Sequence, residues 1–535
     1  MTVNSQNQDH IAKLRELLSE APSVDLFEEI VTLFEEWEEP GTLELGLSYA
    51  EQHLNAWPDL YRVMDIESFW PKIPKGKPSP HAFLARGLLD EYKVFSLPRI
   101  RALVKSPILS NFSFLHMANF TLQKNTLQLL LDCPHLTNVR DLSIILSNKA
   151  VKDFVQGTNS PLMEGLETLT IYAEFKEKNL ESLLHSPHMA SLKTFTNEAH
   201  HNNTFSPGIV ASSPHMANLE ELKLAICSQP EQSGLAVLLD SPNLKKLRGL
   251  DLGWSSFNEQ DLKELVENPN LAKITSLSLE GIELGDQGIA QLVQSPHLTQ
   301  LKELNLSSVR RKGLDEYGRN DFERPEKSCD LKSSGFQALA RSRNLTQLKS
   351  LRFCDNGMFC KEIGAIVNSP HLPNLTSLNL YNNPIRDKGV QTIANSKRMA
   401  NLQELHLEST LISNDGLIAI AESPHMANLQ KLDIFNDVCN YNEKDYTTRG
   451  VMALAKSPYM TNLKELRLGG RIINGFRASR ALSTSEYIPP ETCFNALEQL
   501  DEEPLRAFGK KLEYEGYKEM DKDQLLEAIY AEFFA

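Results

Sequence analysis

Several histidines and cysteines in this sequence are spaced in ways that could support chemistry. His135, His188, His215, His297, His371 and His425 all occupy one recurring tetrapeptide, Ser-Pro-His-(Leu/Met) or a near variant. A zinc site needs three or four ligands converging with fixed geometry, whereas these histidines recur because the turn recurs, so no metal is assigned to them. Cys354-Asp355 and Cys329-Asp330 place a thiol beside an acid. A thiol nucleophile needs a base held against it in a formed site, and no separate stretch of chain is visible to house one. There is no phosphate-cradling Gly-rich loop, no HExxH and no GxSxG. The expectation is a protein that is not an enzyme and carries no cofactor and no metal.

The elements that would position these residues follow from the repeat. Taking the second residue of the tetrapeptide as a marker gives Pro107, Pro134, Pro161, Pro187, Pro214, Pro242, Pro269, Pro296, Arg343, Pro370, Lys397, Pro424 and Pro458. Successive gaps are 27, 27, 26, 27, 28, 27, 27, 47, 27, 27, 27 and 34 residues. A fixed period of this length means stacked structural units rather than one globular core. Five residues after nearly every marker comes L-x-x-L-x-L, as in Leu219, Leu222, Leu224 and in Leu375, Leu378, Leu380. The L-x-L alternation is that of a strand with one buried face. Before each marker, runs such as Gly288 to Val293, Gly389 to Ala394 and Gly416 to Ala421 carry apolar residues at helical spacing. Proline after such a helix cannot continue it and pushes the preceding residue to extended backbone, so Ser-Pro returns the chain to the next strand.

These motifs resemble the leucine-rich-repeat superfamily, in particular the ribonuclease-inhibitor type and the cysteine-containing type. Cys133-Pro134-His135-Leu136 and Ile282-x-Leu284-x-Asp286-x-Gly288 are similar to the latter. The resemblance implies an α/β solenoid with parallel strands on a concave face and short helices on the convex face, used mainly to bind proteins. The Asn or Cys that such repeats place after the strand is clear only at Cys227, Asn356 and Asn383.

Composition agrees with a macromolecule-binding role and excludes others. Apolar residues make up 41% of the 535 and charged residues 23%, enough to bury a long core. Of the net charge of −15, residues 1–60 hold 2 Lys/Arg against 13 Asp/Glu and 501–535 hold 5 against 10. The body is therefore near neutral, and without a basic stripe nucleic acid is not an expected partner. Seven scattered cysteines, never spaced CxxC, point to a reducing compartment. With no basic start, no apolar run and no membrane span in view, a cytoplasmic protein is expected.

Four segments are expected: an acidic, mainly helical N-terminal region at 1–103, about thirteen coils at 104–470 with an inserted loop at 309–331, a linker at 471–492, and a small helical module at 493–535. That last module weakly resembles the SAP and Rho N-terminal helix-extended-helix folds, through Leu505, Phe508, Leu512, Tyr517, Met520, Leu525 and Ile529.

In a parallel stack, the residues between the leucines of L-x-L form a ladder on the concave face. It reads His116, Ser143, Thr170, Thr196, Lys223, Asp251, Ser278, Asn305, Arg352, Asn379, His406, Asp433 and Arg467. Two residues further along lie Tyr381, Glu408 and Phe435, with Trp254 one step beyond that position in its own coil. Aromatic residues and arginine dominate binding energy at interfaces. The candidate partner-binding residues are accordingly Trp254, Arg352, Asn379, Tyr381, His406, Glu408, Asp433, Phe435 and Arg467. A protein-interaction scaffold gripping a protein partner is the first expectation. The alternatives are a nucleic-acid-associated regulator working through its C-terminal module, and a bacterial effector exported without a signal.

Overall fold

The computed structural model describes residues 5–37, 39–65, 79–89, 97–198, 204–226, 234–309, 334–435, 448–468 and 476–498, with parts of 505–533. The inserted loop, apart from Val309, and the segment Asp437 to Thr448, apart from Thr448, lie outside them, as do Cys227, Cys329 and Cys439. The chain divides into two compact units, Met1–Leu247 and Arg248–Ala535.

The first unit opens with helices α1 (Ser5–Leu17), α2 (Val24–Glu35) and α3 (Pro40–Leu54). The strands that follow are β1 (Val63–Asp65), β2 (Gly87–Leu89), β3 (Phe114–Leu122), β4 (Asp141–Leu146), β5 (Thr168–Tyr172), β6 (Thr194–Asn197) and β7 (Glu221–Lys223). Each pairs in parallel with the next. The ladder thus begins at Val63, upstream of residue 104, inside a stretch whose sequence lacks the L-x-x-L-x-L pattern. Arg62, just before it, is buried, donating from Nε to Leu84 O at 2.9 Å and from Nη1 to Leu54 O at 3.1 Å. Burial first, and neighbouring Arg86 second, lower its pKa to about 10.

The second unit holds β8 (Gly249–Asp251), β9 (Ser276–Ser278), β10 (Glu303–Asn305), β11 (Ser350–Arg352), β12 (Ser377–Asn379), β13 (Glu404–His406), β14 (Lys431–Asp433) and β15 (Glu465–Arg467), again parallel and in chain order. Helices such as Gly285–Gln294, Arg386–Ala394 and Asn414–Ala421 alternate with them. This is the α/β repeat architecture expected from the sequence. The leucines of every L-x-L motif are buried, and so are the methionines of the turn, including Met189, Met216, Met399, Met426 and Met460.

Three hydrogen-bond devices tie coil to coil. The serine before the marker buries its hydroxyl and donates to a helix-end carbonyl one coil back: Ser295 to Val266 O (2.6 Å), Ser342 to Val293 O (2.5 Å), Ser369 to Ala340 O (2.5 Å) and Ser396 to Val367 O (2.6 Å). These carbonyls have no partner within their own helix, so the serine fills an obligatory vacancy. The asparagine after the strand works likewise. Buried Asn383 donates to Phe353 O (2.8 Å) and Leu380 O (2.9 Å), while its Oδ1 accepts from the N–H groups of Asn356 (3.1 Å) and Met358 (2.9 Å). Third, Asp387 caps the following helix, its Oδ1 accepting from Ser413 N at 2.7 Å and Gly416 N at 3.0 Å. A Cβ at Gly416 would stand 2.9 Å from Asp387 Oδ1, so a larger residue there would displace the capping carboxylate.

In the C-terminal region, helix Phe476–Ser483 lies inside the stretch read as a linker, and Ser485 Oγ donates to Ala455 O at 2.6 Å. That is the same serine bond the coils use. In the terminal module helices Pro490–Glu498 and Lys522–Phe533 are described, and most of the stretch between them lies outside the described residues. Among the described residues, no helix is long and apolar enough to cross a membrane.

Candidate functional site: the concave face of the second unit

Strand register fixes the candidate residues relative to one another. Arg352 stands opposite Asn379, Asn379 opposite His406, His406 opposite Asp433, and Asp433 opposite Arg467. Five candidates therefore form one unbroken column at the strand spacing of about 4.8 Å. Arg352 and Arg467 are exposed, Asn379 and His406 half-buried, and Asp433 is buried.

The column is not uniform, because its Asn and Asp members have a backbone task. Asp251 Oδ1 accepts from Gly253 N (2.9 Å), Asn305 Oδ1 from Ser307 N (3.0 Å), Asn379 Oδ1 from Tyr381 N (2.9 Å) and Asp433 Oδ1 from Phe435 N (3.2 Å). These are local Asx-type bonds that hold the strand exit. Every second coil uses one, with Ser278, Arg352 and His406 between. Asn379 and Asp433 thus help to build the surface as well as line it.

Beside this column lie Tyr381, Glu408 and Phe435. Tyr381 is 39% exposed and Trp254 is 40% exposed, a high value for such large rings. Immediately past this second row the backbone turns left-handed in coil after coil, at Trp254 (φ 60°), Gly281 (70°), Ser308 (53°), Asp355 (57°), Asn382 (54°) and Ser409 (55°). Each N–H nonetheless stays in the ladder, from Trp254 to Glu280 O (2.7 Å) through Asn382 to Glu408 O (2.9 Å). The conformation is costly for residues with a Cβ, and the repeated cross-coil bond holds it. Trp254 occupies this position, four strands and roughly 19 Å from Tyr381. Its ring lies over Gly281, where a Cβ would stand 2.5 Å from the indole.

Charge concentrates around β13 to β15. Arg467 Nη1 is 3.1 Å from Asp433 Oδ2, and His406 Nδ1 is 3.6 Å from Glu408 Oε1. Burial, and then the facing Glu408 carboxylate, push Asp433 up to about 6, against the pull of Phe435 N–H and Arg467. Burial also acts to raise Glu408, but hydrogen bonding with His406, its own backbone and Asp433 outweighs it and the net shift is downward. Among the described residues, His406, Glu408 and Asp433 bring ligand-type atoms within 4.8 Å of one another.

The residues first considered for chemistry sit elsewhere. The turn histidines belong to successive turns, with His188 Nε2 3.0 Å from Asn159 Oδ1. Cys354 Sγ donates to Asn379 Oδ1 at 3.2 Å, and burial pushes its thiol up to about 11, so the thiolate nucleophile is suppressed at neutral pH. What the sequence did not reveal was the convergence of His406, Glu408 and Asp433. The signal was present, since an H-x-E strand exit lies one 27-residue period before Asp433.

Residues 371–394 and 398–421 match the family model described as Leucine Rich repeat. No curated protein matches the chain. Among solved structures, the chain is similar to one in the crystal structure of the Rad7 and Elc1 complex in yeast. The identity is 15%, over 85% of this chain and 91% of that chain, with a TM-score of 0.36.

Proposed function

We propose that this chain, a member of the leucine-rich-repeat superfamily, is a scaffold that holds a protein partner on the concave face of its second unit. The observation that carries the reading is the column from Arg352 to Arg467, register-locked and flanked by exposed Tyr381 and half-buried Phe435. Residues of these types supply most of the energy of protein interfaces. They stand on strands whose positions are set by the buried leucines, so little conformational entropy is lost when a partner docks. A near-neutral repeat body supports a protein rather than a nucleic acid as partner. On this reading the face acts by binding, and burial pushes the half-buried Cys354 thiol up to about 11, away from the thiolate form. A cytoplasmic setting belongs to the same proposal.

The test is co-purification from host lysate, comparing wild type with the Arg352→Ala, Tyr381→Ala, Phe435→Ala triple variant, with circular dichroism to establish that the variant is folded. A protein retained by wild type and lost by the variant supports the reading. Equal retention by both removes the concave face from consideration.

A further inference from the structure

A second use of this face comes from its most buried corner. Register places His406 directly opposite Asp433, and Glu408 follows His406 by two residues on the same face. The Asp433 side chain is 1% exposed, and those of Glu408 and His406 are 16% and 18% exposed. Among the described residues, Oε2 of Glu408 is buried with no hydrogen-bond partner. A buried, unsatisfied carboxylate oxygen is rare in folded proteins, and one of its ordinary explanations is a bound ion. The local charge points the same way: among the described residues, the two carboxylates share this corner with a single ion-paired guanidinium, that of Arg467, itself 51% exposed.

We propose that His406, Glu408 and Asp433 form a binding site for a divalent transition-metal ion of the Zn2+, Co2+ or Mn2+ type. One imidazole nitrogen with two carboxylates is a donor set for borderline metals, whereas Ca2+ and Mg2+ favour oxygen throughout. Ligand atoms bound at roughly 2.0–2.2 Å to one ion lie at most about 4.4 Å apart. The present separations, all within 4.8 Å, would have to shorten for the three atoms to hold one ion. Asp433 keeps Oδ1 on Phe435 N, and the ion takes the place of Arg467 at Oδ2. Three protein ligands leave further coordination positions for water or another ligand. The site is independent of the partner-binding reading, because a metal can bind here whether or not a protein docks.

The experiment is calorimetric titration of the full chain, stripped with EDTA, with ZnCl2, together with CoCl2 titration followed by visible absorption. The expected result is one high-affinity equivalent per chain and a Co2+ d–d band. Both should weaken at least about tenfold in His406→Gln, Glu408→Gln and Asp433→Asn, and remain unchanged in the turn variant His371→Gln. These near-isosteric changes are checked for folding by circular dichroism, and Co2+ absorption separates loss of a ligand from loss of the fold. No saturable binding overturns the proposal. So does binding that the three site variants leave intact, or that His371→Gln abolishes.

Discussion

Arg467 Nη1 lies 3.1 Å from Asp433 Oδ2 across the β14–β15 register, so an exposed guanidinium is fastened to a carboxylate that is almost wholly buried. Among the described residues, Arg467 is the cation paired with Asp433, whose carboxylate lies beside that of Glu408. Removing it leaves Asp433 buried next to Glu408 with one donor fewer. Arg467→Ala is expected to destabilise the protein by about 1–3 kcal/mol, measured by urea denaturation. In a double-mutant cycle with Asp433→Asn much of that cost disappears, since the neutral amide no longer needs the cation. Equal cost in both backgrounds would mean that the pair is not coupled.

Besides a bond to Tyr381 O, Asn383 makes the carbonyls of Phe353 and Leu380 and the N–H groups of Asn356 and Met358 dependent on one side chain. Asn383→Ala orphans them in a buried position, with an expected loss of about 2–4 kcal/mol. Ser369→Ala removes a single bond to Ala340 O and costs about 1–2 kcal/mol. The order of the two denaturation midpoints checks this account.

Gly281 combines a left-handed backbone with an indole packed where a Cβ would go. Gly281→Ala therefore costs roughly 1–3 kcal/mol and displaces the Trp254 ring. A change in tryptophan emission that is absent when the same substitution is made in a Trp254→Phe background would show it. An unchanged spectrum would contradict the packing.

His81 is buried, stacks at 6.2 Å on Phe34, and has no hydrogen-bond partner on either ring nitrogen among the described residues. Burial lowers its pKa to about 4. A base whose folded value is depressed contributes stability that is present above its unfolded value, near 6.5, and lost as pH falls toward 4. Stability should fall by an amount on the order of 2–3 kcal/mol over that window. His81→Phe, which keeps the ring and removes the proton site, should flatten the dependence between pH 6.5 and 4; an unaltered pH profile would assign the loss to other groups.

The stack was legible because its period is written in leucines. Leu351, Leu378, Leu405 and Leu432 are spaced so that the residue after each falls into one column, and the observed register repeats that spacing. Elements without that signal were missed. Val63–Asp65 and Gly87–Leu89 join the ladder through parallel pairing alone. Nothing in the sequence marks Arg62 as buried, and only three-dimensional packing shows its carbonyl partners. Proline explained the turn, yet the serine before it carries the bond between coils. The left-handed column occupies Trp, Ser, Asp and Asn as well as Gly, so residue type did not announce it.

The central claim, that a protein partner docks on the concave face of the second unit, is tested most directly by site-specific photo-crosslinking in host cells. A benzophenone amino acid is placed at Tyr381 on the concave side or at exposed Lys361 on a convex helix. The account predicts a discrete crosslinked product from position 381 that is absent from 361 and is lost when Arg352→Ala and Phe435→Ala are added. A product from 361 with none from 381 would contradict it.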